Sequence, residues 1–194
     1  GATQLSIDLG DEDWDKTHGS AVQAAVAGCE QLCIIHNAAL LLKDQAQTLQ
    51  AASLRQVLQL NVVAPSQLNQ LLLPQMASGS AILFVGSTLG EKAVANTCSY
   101  ATSKHALIGL MRATVQDLAG SGIHSACICP GFTDTAMLRA HVGNDPEVLD
   151  AIASGVTFDR VIQPGEIANT LVFAAENPVI NGAVLHANLG QVEH

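Results

Sequence analysis

Residues 81–85 read Ala-Ile-Leu-Phe-Val, an apolar run without a polar break, entered through Ser78-Gly79 and left at Gly86. Its length suits a strand, and a strand of this kind buries both faces, because successive side chains point to opposite sides. Residues 32–35 and 123–128 predict further strands, and Asn181-Gly182 turns into a last one at 183–187. Strands covered on both faces belong to parallel sheets with helices above and below. The intervening segments carry helical patterns. Residues 20–27 form a short helix stopped at Gly28, and 53–73 a long one, with apolar residues at 54, 57, 58, 62, 68 and 72 and Pro65 inside it. A second long helix spans 101–118 and stops at Gly120-Ser121-Gly122. Shorter helices are expected at 133–141 and 146–153. A last helix at 164–174 has Pro164 at its start and Glu166 in its first turn, both favoured there. Residues 3–9 alternate weakly and are expected to form a strand entering the turn Asp8-Leu9-Gly10, followed by an acidic stretch at 11–15. The predicted fold class is α/β, a doubly wound parallel sheet with helices on both faces. A chain of 194 residues is expected to form one such domain. Residues 133–161 mix Gly, Asn, Pro and Asp with short apolar pieces, the composition of a lid.

Composition narrows the function classes. The chain is 48% apolar and only 13% charged, which excludes a disordered polymer. One Trp, one Tyr and four Phe leave the core to aliphatic side chains. A formal charge of -9 with no basic cluster argues against nucleic acid and anionic membrane surfaces as partners. No run reaches the roughly 18 apolar residues of a membrane span. Five cysteines (Cys29, Cys33, Cys98, Cys127 and Cys129) are an odd number without a zinc-ligand spacing. They are expected to be thiols in a cytoplasmic protein without a metal, with Cys127 and Cys129 on opposite sides of a strand.

The chemistry concentrates in Ser87, Tyr100 and Lys104. Ser87 follows an apolar strand, the place where open parallel sheets present ligands. Tyr100 and Lys104 are four residues apart and share one face of a helix. A phenol ionises near pH 10, too high for acid/base work at neutrality. An ammonium about 4 Å away interacts by about 4 kcal/mol at an effective dielectric of about 20, enough to lower that value by about three units. Ser87 would hold a carbonyl oxygen while Tyr100 exchanges a proton with it. The hydride such a reaction needs must come from a cofactor. A Tyr with a Lys four residues on also arises as an ordinary pair on a helix surface.

Ser87, Tyr100 and Lys104 resemble the serine-(twelve residues)-tyrosine-(three residues)-lysine signature of the short-chain dehydrogenase/reductases. His36-Asn37-Ala38-Ala39 is similar to that family's Asn-Asn-Ala-Gly element, and Pro130-Gly131 with Thr135 to its Pro-Gly-x-x-x-Thr element. Asn61 matches the helix asparagine of the catalytic tetrad, and Asp8 the acidic residue that contacts adenine. Arg160, Pro164 and Glu166 sit where the family has an Arg and a Pro-Glu pair ahead of its last helix. The resemblance implies an NAD- or NADP-dependent oxidoreductase interconverting a small-molecule carbonyl and a secondary alcohol. Tyr100 would be the acid/base, Lys104 would lower its pKa and hold the cofactor ribose, Ser87 would orient the substrate oxygen, and Asn61 would anchor a proton-relay water. Asp8, Leu9, Asn37, Ala38, Ala39, Tyr100, Lys104, Pro130, Gly131, Thr133 and Thr135 would contact the cofactor. Thr88, Met137 and Leu138 would face the substrate. A homodimer or homotetramer through the two long helices is also implied. His36 and Ala39 depart from the family's Asn and Gly, and Asn188-Leu189-Gly190 replaces its closing Asp-Gly-Gly.

The family's first strand, glycine-rich phosphate turn and second strand precede the segment with which this sequence begins, a difference of about 50 residues. No such turn lies between Gly1 and Asp8 or later. The expected sheet therefore lacks the first two strands, residues 3–9 have no neighbour to pair with, and an apolar edge is exposed at 32–35. The expectation is an oxidoreductase whose 194 residues are impaired in cofactor binding. The alternative is a non-catalytic interaction or scaffold protein that kept the site residues.

Overall fold

The computed structural model describes residues 2–143 and 145–191. Among them are four strands, β1 (Cys33–His36), β2 (Ala81–Val85), β3 (His124–Pro130) and β4 (Val184–Ala187), all parallel and ordered β1-β2-β3-β4. Ile34 pairs with Ile82, Phe84 with Cys127, and Ile128 with Leu185. The helices are α1 (Trp14–Ala25), α2 (Ala51–Leu58), α3 (Ala64–Leu72), α4 (Cys98–Asp117), α5 (Ala136–Val142), α6 (Pro146–Ser154) and α7 (Pro164–Glu176). Each strand therefore ends at the same edge of the sheet, and the loops there are the natural place for a site.

The central strands β2 and β3 are buried on both faces, whereas β1 leaves Cys33 and Ile35 exposed, and the side chains divide between the faces with a period of two. Ile82, Phe84, Cys127 and Cys129 face Leu107, Ile108 and Met111 of α4. Ala81, Leu83, Ala126 and Ile128 face Ile167, Leu171 and Ala174 of α7. Cys127 and Cys129 thus share a face, with sulfurs 3.8 Å apart, contrary to the expectation of opposite sides. Residues two apart in a strand point the same way. All five cysteines are free thiols.

Three elements differ from the expectation. Residues 3–9 form no strand, because a strand is held by its ladder and the outer edge of β1 has no partner among the described residues. Instead Asp8 turns the chain into α1: its Oδ1 accepts from the Gly10 N–H at 2.9 Å, and its carbonyl from the Asp11 N–H at 3.2 Å. α1 begins six residues earlier than the apolar pattern predicts, where Trp14, buried to 1% exposure, donates its indole N–H to Gln67 at 2.8 Å. The long helix at 53–73 is interrupted by a π turn, Gln59–Val63, between α2 and α3. Pro65 has no N–H to give to the carbonyl of residue 61, so the regular ladder cannot run through this point.

Candidate functional site

β2 delivers the chain to the carboxyl edge through Gly86. A Cβ at Gly86 would lie 2.7 Å from the Cys127 sulfur and 2.8 Å from that of Cys129, so only glycine passes over the thiol pair. Ser87 follows in extended conformation, and its Oγ accepts from the Leu89 N–H at 3.1 Å, opening a tight turn over Thr88–Gly90. The turn lies against α4, since a Cβ on Gly90 would meet Ile108 Cδ1 at 2.7 Å.

α4 presents Tyr100 and Lys104 one turn apart, at 7% and 3% exposure. The Ser87 side chain lies close enough to the Tyr100 phenol to favour its ionised form. Lys104 Nζ stands 5.4 Å from the Tyr100 ring centroid and donates to the Val85 carbonyl at 2.8 Å. Burial pushes Tyr100 up to about 12, against the opposing effect of the neighbouring Ser87 side chain. Burial also lowers Lys104 to about 8, against the attraction of the nearby Cys127 and Cys129. The expected lowering of the phenol by the lysine is therefore absent here. Desolvation is the largest influence on the phenol, and the ammonium donates to the Val85 carbonyl rather than to the phenol oxygen.

Asn61 sits in the π turn at 1% exposure. Its Oδ1 accepts from the Leu40 N–H at 2.7 Å, and its Nδ2 donates to the Leu40 carbonyl at 3.0 Å and to Ser103 Oγ at 2.8 Å. These bonds direct the side chain to the loop after β1 and to α4, not to Lys104. His36 likewise turns inward, to Asn69 at 2.8 Å and to the Phe84 ring at 4.7 Å. Burial lowers it to about 4, so at neutral pH it is an uncharged packing group.

Above Ser87, Tyr100 and Lys104 opens a cleft of about 870 Å³. Asn37, Ala38, Ala39, Thr88, Pro130, Gly131, Thr133, Thr135, Met137 and Leu138 also line it, so the structure gathers most of the predicted residues into one cavity. Asp8 and Leu9 are not among its walls, and the Asp8 carboxylate is taken by the Gly10 N–H. Thr133 donates to the Gly131 carbonyl at 3.1 Å, and Thr135 caps α5 through the Leu138 N–H at 3.3 Å. Both hydroxyls are thus occupied by backbone, and they shape the loop leaving β3. Leu41, Val94, Phe132, Ile167 and Leu171 make much of the remaining wall apolar, and sequence reading singled out none of them.

Comparison with known proteins follows the same line. A family model described as Enoyl-(Acyl carrier protein) reductase matches residues 5–191. The chain is 34% identical over 142 residues to 15-hydroxyprostaglandin dehydrogenase [NAD(+)] of Mus musculus, covering 67% of this chain and 53% of that protein. It is 32% identical over 137 residues to an uncharacterized oxidoreductase of Thermotoga maritima, covering 67% of this chain and 55% of the other. The chain spans about half the length of the curated relatives it matches. A Serratia marcescens short-chain dehydrogenase/reductase superposes with a TM-score of 0.84 at 27% identity, over 96% of this chain and 75% of that one. Aldohexose dehydrogenase of Thermoplasma acidophilum shares the fold with a TM-score of 0.87 at 21% identity, over 98% and 79%.

Proposed function

The chain belongs to the short-chain dehydrogenase/reductase family, and we propose that it carries the proton-transfer side of an oxidoreductase interconverting a carbonyl and a secondary alcohol. The observation that carries this reading is the convergence of Ser87, Tyr100 and Lys104 on the floor of one cleft, with the phenol and the lysine buried one helical turn apart. Ser87 holds the substrate oxygen, and Tyr100, protonated at neutral pH, gives its proton to that oxygen as the carbonyl is reduced. In the oxidative direction the phenolate takes the proton back. Lys104 braces the floor through Val85 and places a cation beneath the phenol. Asn61 acts at one remove, by holding the loop at Leu40 and the helix at Ser103.

A nicotinamide dinucleotide supplies or accepts the hydride when bound. The residues present fit its nicotinamide end: Asn37, Ala38, Ala39, Pro130 and Gly131 leave an open wall of small side chains beside the buried ammonium of Lys104. One relative is named for NAD(+) and one solved neighbour holds NADP, so either dinucleotide is compatible. Asp8 and Leu9 stand outside the cleft, and the 194 residues by themselves are expected to bind the dinucleotide weakly. Residues 133–161, of which residue 144 lies outside the described residues, are the candidate substrate lid of this single domain, with Thr135, Met137 and Leu138 lining the cleft. On α4, Thr102, Ala106, Gly109 and Ala113 form an exposed stripe of small residues, which supports helix-to-helix association into a homo-oligomer.

The test is Tyr100→Phe, read by nicotinamide absorbance with a panel of carbonyls and secondary alcohols. Loss of about a hundredfold or more in kcat is expected with dinucleotide affinity retained. Parent-like turnover by the variant overturns the acid/base role. A parent chain that binds dinucleotide but turns over no carbonyl or alcohol favours the scaffold reading.

A further inference from the structure

We propose that Asp44 is a positioning residue for Tyr100, clamping the first turn of the helix that carries the phenol to the loop that lines the cleft. The helix needs such help. α4 starts at Cys98, and the residue before it, Thr97, makes no side-chain cap. The leading N–H groups of a helix have no partner within it and its first turn frays unless they are met. Tyr100 is the third residue of that turn.

Asp44 meets the need from a different element. Its Oδ1 accepts from the Ser99 N–H at 2.9 Å, and its Oδ2 accepts from the Ser99 hydroxyl. Its backbone joins in. The Asp44 N–H donates to the Asn96 carbonyl at 3.2 Å, the Asp44 carbonyl accepts from the Cys98 N–H at 3.4 Å, and Asp44 and Thr97 form a short parallel bridge. Ser99 is wholly buried, at 0% exposure. A carboxylate offers two acceptors for the two donors of Ser99, and its negative charge is favoured beside a helix N-terminus.

One turn later a second fastening repeats the arrangement. Ser103, also at 0% exposure, accepts from Asn61 and donates to the Tyr100 carbonyl at 2.7 Å. Asn61 in turn holds both backbone groups of Leu40. The loop that presents Asn37, Ala38 and Ala39 to the cleft is thus fixed to α4 at Leu40 and at Asp44. Each fixing point on α4 is the residue directly before a member of the site, Ser99 before Tyr100 and Ser103 before Lys104. A displacement of about 1 Å in a reacting group can lower a rate about a hundredfold, so a clamp on the neighbouring residue bears on turnover as well as on folding. The inference rests on the acid/base reading of Tyr100 only for its kinetic consequence, since the clamp itself is geometric.

Asp44→Ala, Asp44→Asn and Ser99→Ala test it. Tyr100 is the only tyrosine of the chain, so tyrosinate absorbance reads its ionisation without any turnover. Asp44→Ala, folded by circular dichroism, is expected to ionise Tyr100 about one pH unit lower as water reaches the loosened turn, and to lose about tenfold or more in kcat with KM little changed. Asp44→Asn, which can still accept from the Ser99 N–H, is expected to restore most of both. A folded Asp44→Ala with the parent's tyrosine titration and kcat overturns the proposal and leaves Asp44 an ordinary cap. If Asp44→Ala does not fold, Ser99→Ala, which removes only the hydroxyl arm, is expected to shift the titration the same way, and no shift overturns the proposal. A shifted titration in a chain whose parent shows no hydride transfer supports the clamp while refuting the acid/base reading. An active parent with neither readout altered in the variants refutes the clamp alone.

Discussion

Lys104→Met is expected to give a more stable and inactive protein. Burial lowers Lys104 from its ordinary 10.5 to about 8, at 3% exposure. At about 1.4 kcal/mol per pH unit, holding the charged ammonium in the fold costs about 3 kcal/mol. Met fills the space of the lysine stem without the charge. It leaves the Val85 carbonyl without its 2.8 Å donor, a loss of about 1–2 kcal/mol. The net gain at pH 7 is therefore about 1–2 kcal/mol. Its pH dependence is more telling. Between pH 8 and 10.5 the unfolded chain retains a proton that the folded chain has released, so the parent's stability rises with pH across that window. Raising the pH from 7 to 9.5 should then bring the parent up by about 2 kcal/mol relative to the variant, enough to cancel or reverse the variant's advantage. Urea denaturation followed by the fluorescence of the buried Trp14 measures both quantities. A variant less stable than the parent at pH 7, or a difference between the two that stays constant from pH 7 to 9.5, would refute the reasoning.

Two further outcomes rest on single contacts. His36, lowered by burial from 6.5 to about 4, must take up a proton on acid unfolding, so stability should fall as the pH drops from 6.5 to about 4, by up to about 3 kcal/mol; His36→Gln should flatten that limb in urea titrations at pH 7 and 4.5. Gly86→Ala would place a Cβ 2.7 and 2.8 Å from the Cys127 and Cys129 sulfurs and should destabilise by about 2 kcal/mol. Adding Cys127→Ala and Cys129→Ala should recover part of that loss, and strict additivity of the three substitutions in thermal melts would refute the steric account.

The site was legible where its chemistry and its neighbours lie close in the chain. The run at 81–85 announced a strand buried on both faces, and the spacing of Tyr100 and Lys104 announced a shared helical face. Spacing along the chain also sufficed for Pro130, Gly131, Thr133 and Thr135, which stand at the end of β3 and on the loop after it. Residues 3–9 show the limit of such reading, since alternation describes a strand's faces but not whether a neighbour supplies its ladder. Asn61 was recognised by resemblance, yet its hydrogen bonds run to Leu40 and Ser103, which no local pattern encodes. Asp44 escaped altogether: its partner Ser99 lies 55 residues away, and an acidic residue in a polar loop has no local mark of a buried task.

Burial drives Tyr100 and Lys104 the same way, toward a neutral phenol and a neutral amine. A ligand that brings a polar or anionic oxygen to Lys104 must oppose that drift. It would stabilise the ammonium and raise its pKa above the free protein's value of about 8. Linkage then requires the ligand to bind with proton uptake wherever the free lysine is deprotonated. Affinity should be flat below pH 8 and should weaken between pH 8 and 10, with a limiting slope of about tenfold per pH unit. Calorimetry in two buffers of different ionisation heat reads the proton uptake, and a dinucleotide titration reads the slope. For any nicotinamide ligand that binds measurably, an affinity constant from pH 7 to 10 would mean that it does not engage Lys104. The buried ammonium would then be a support for the Val85 carbonyl and no part of the binding surface.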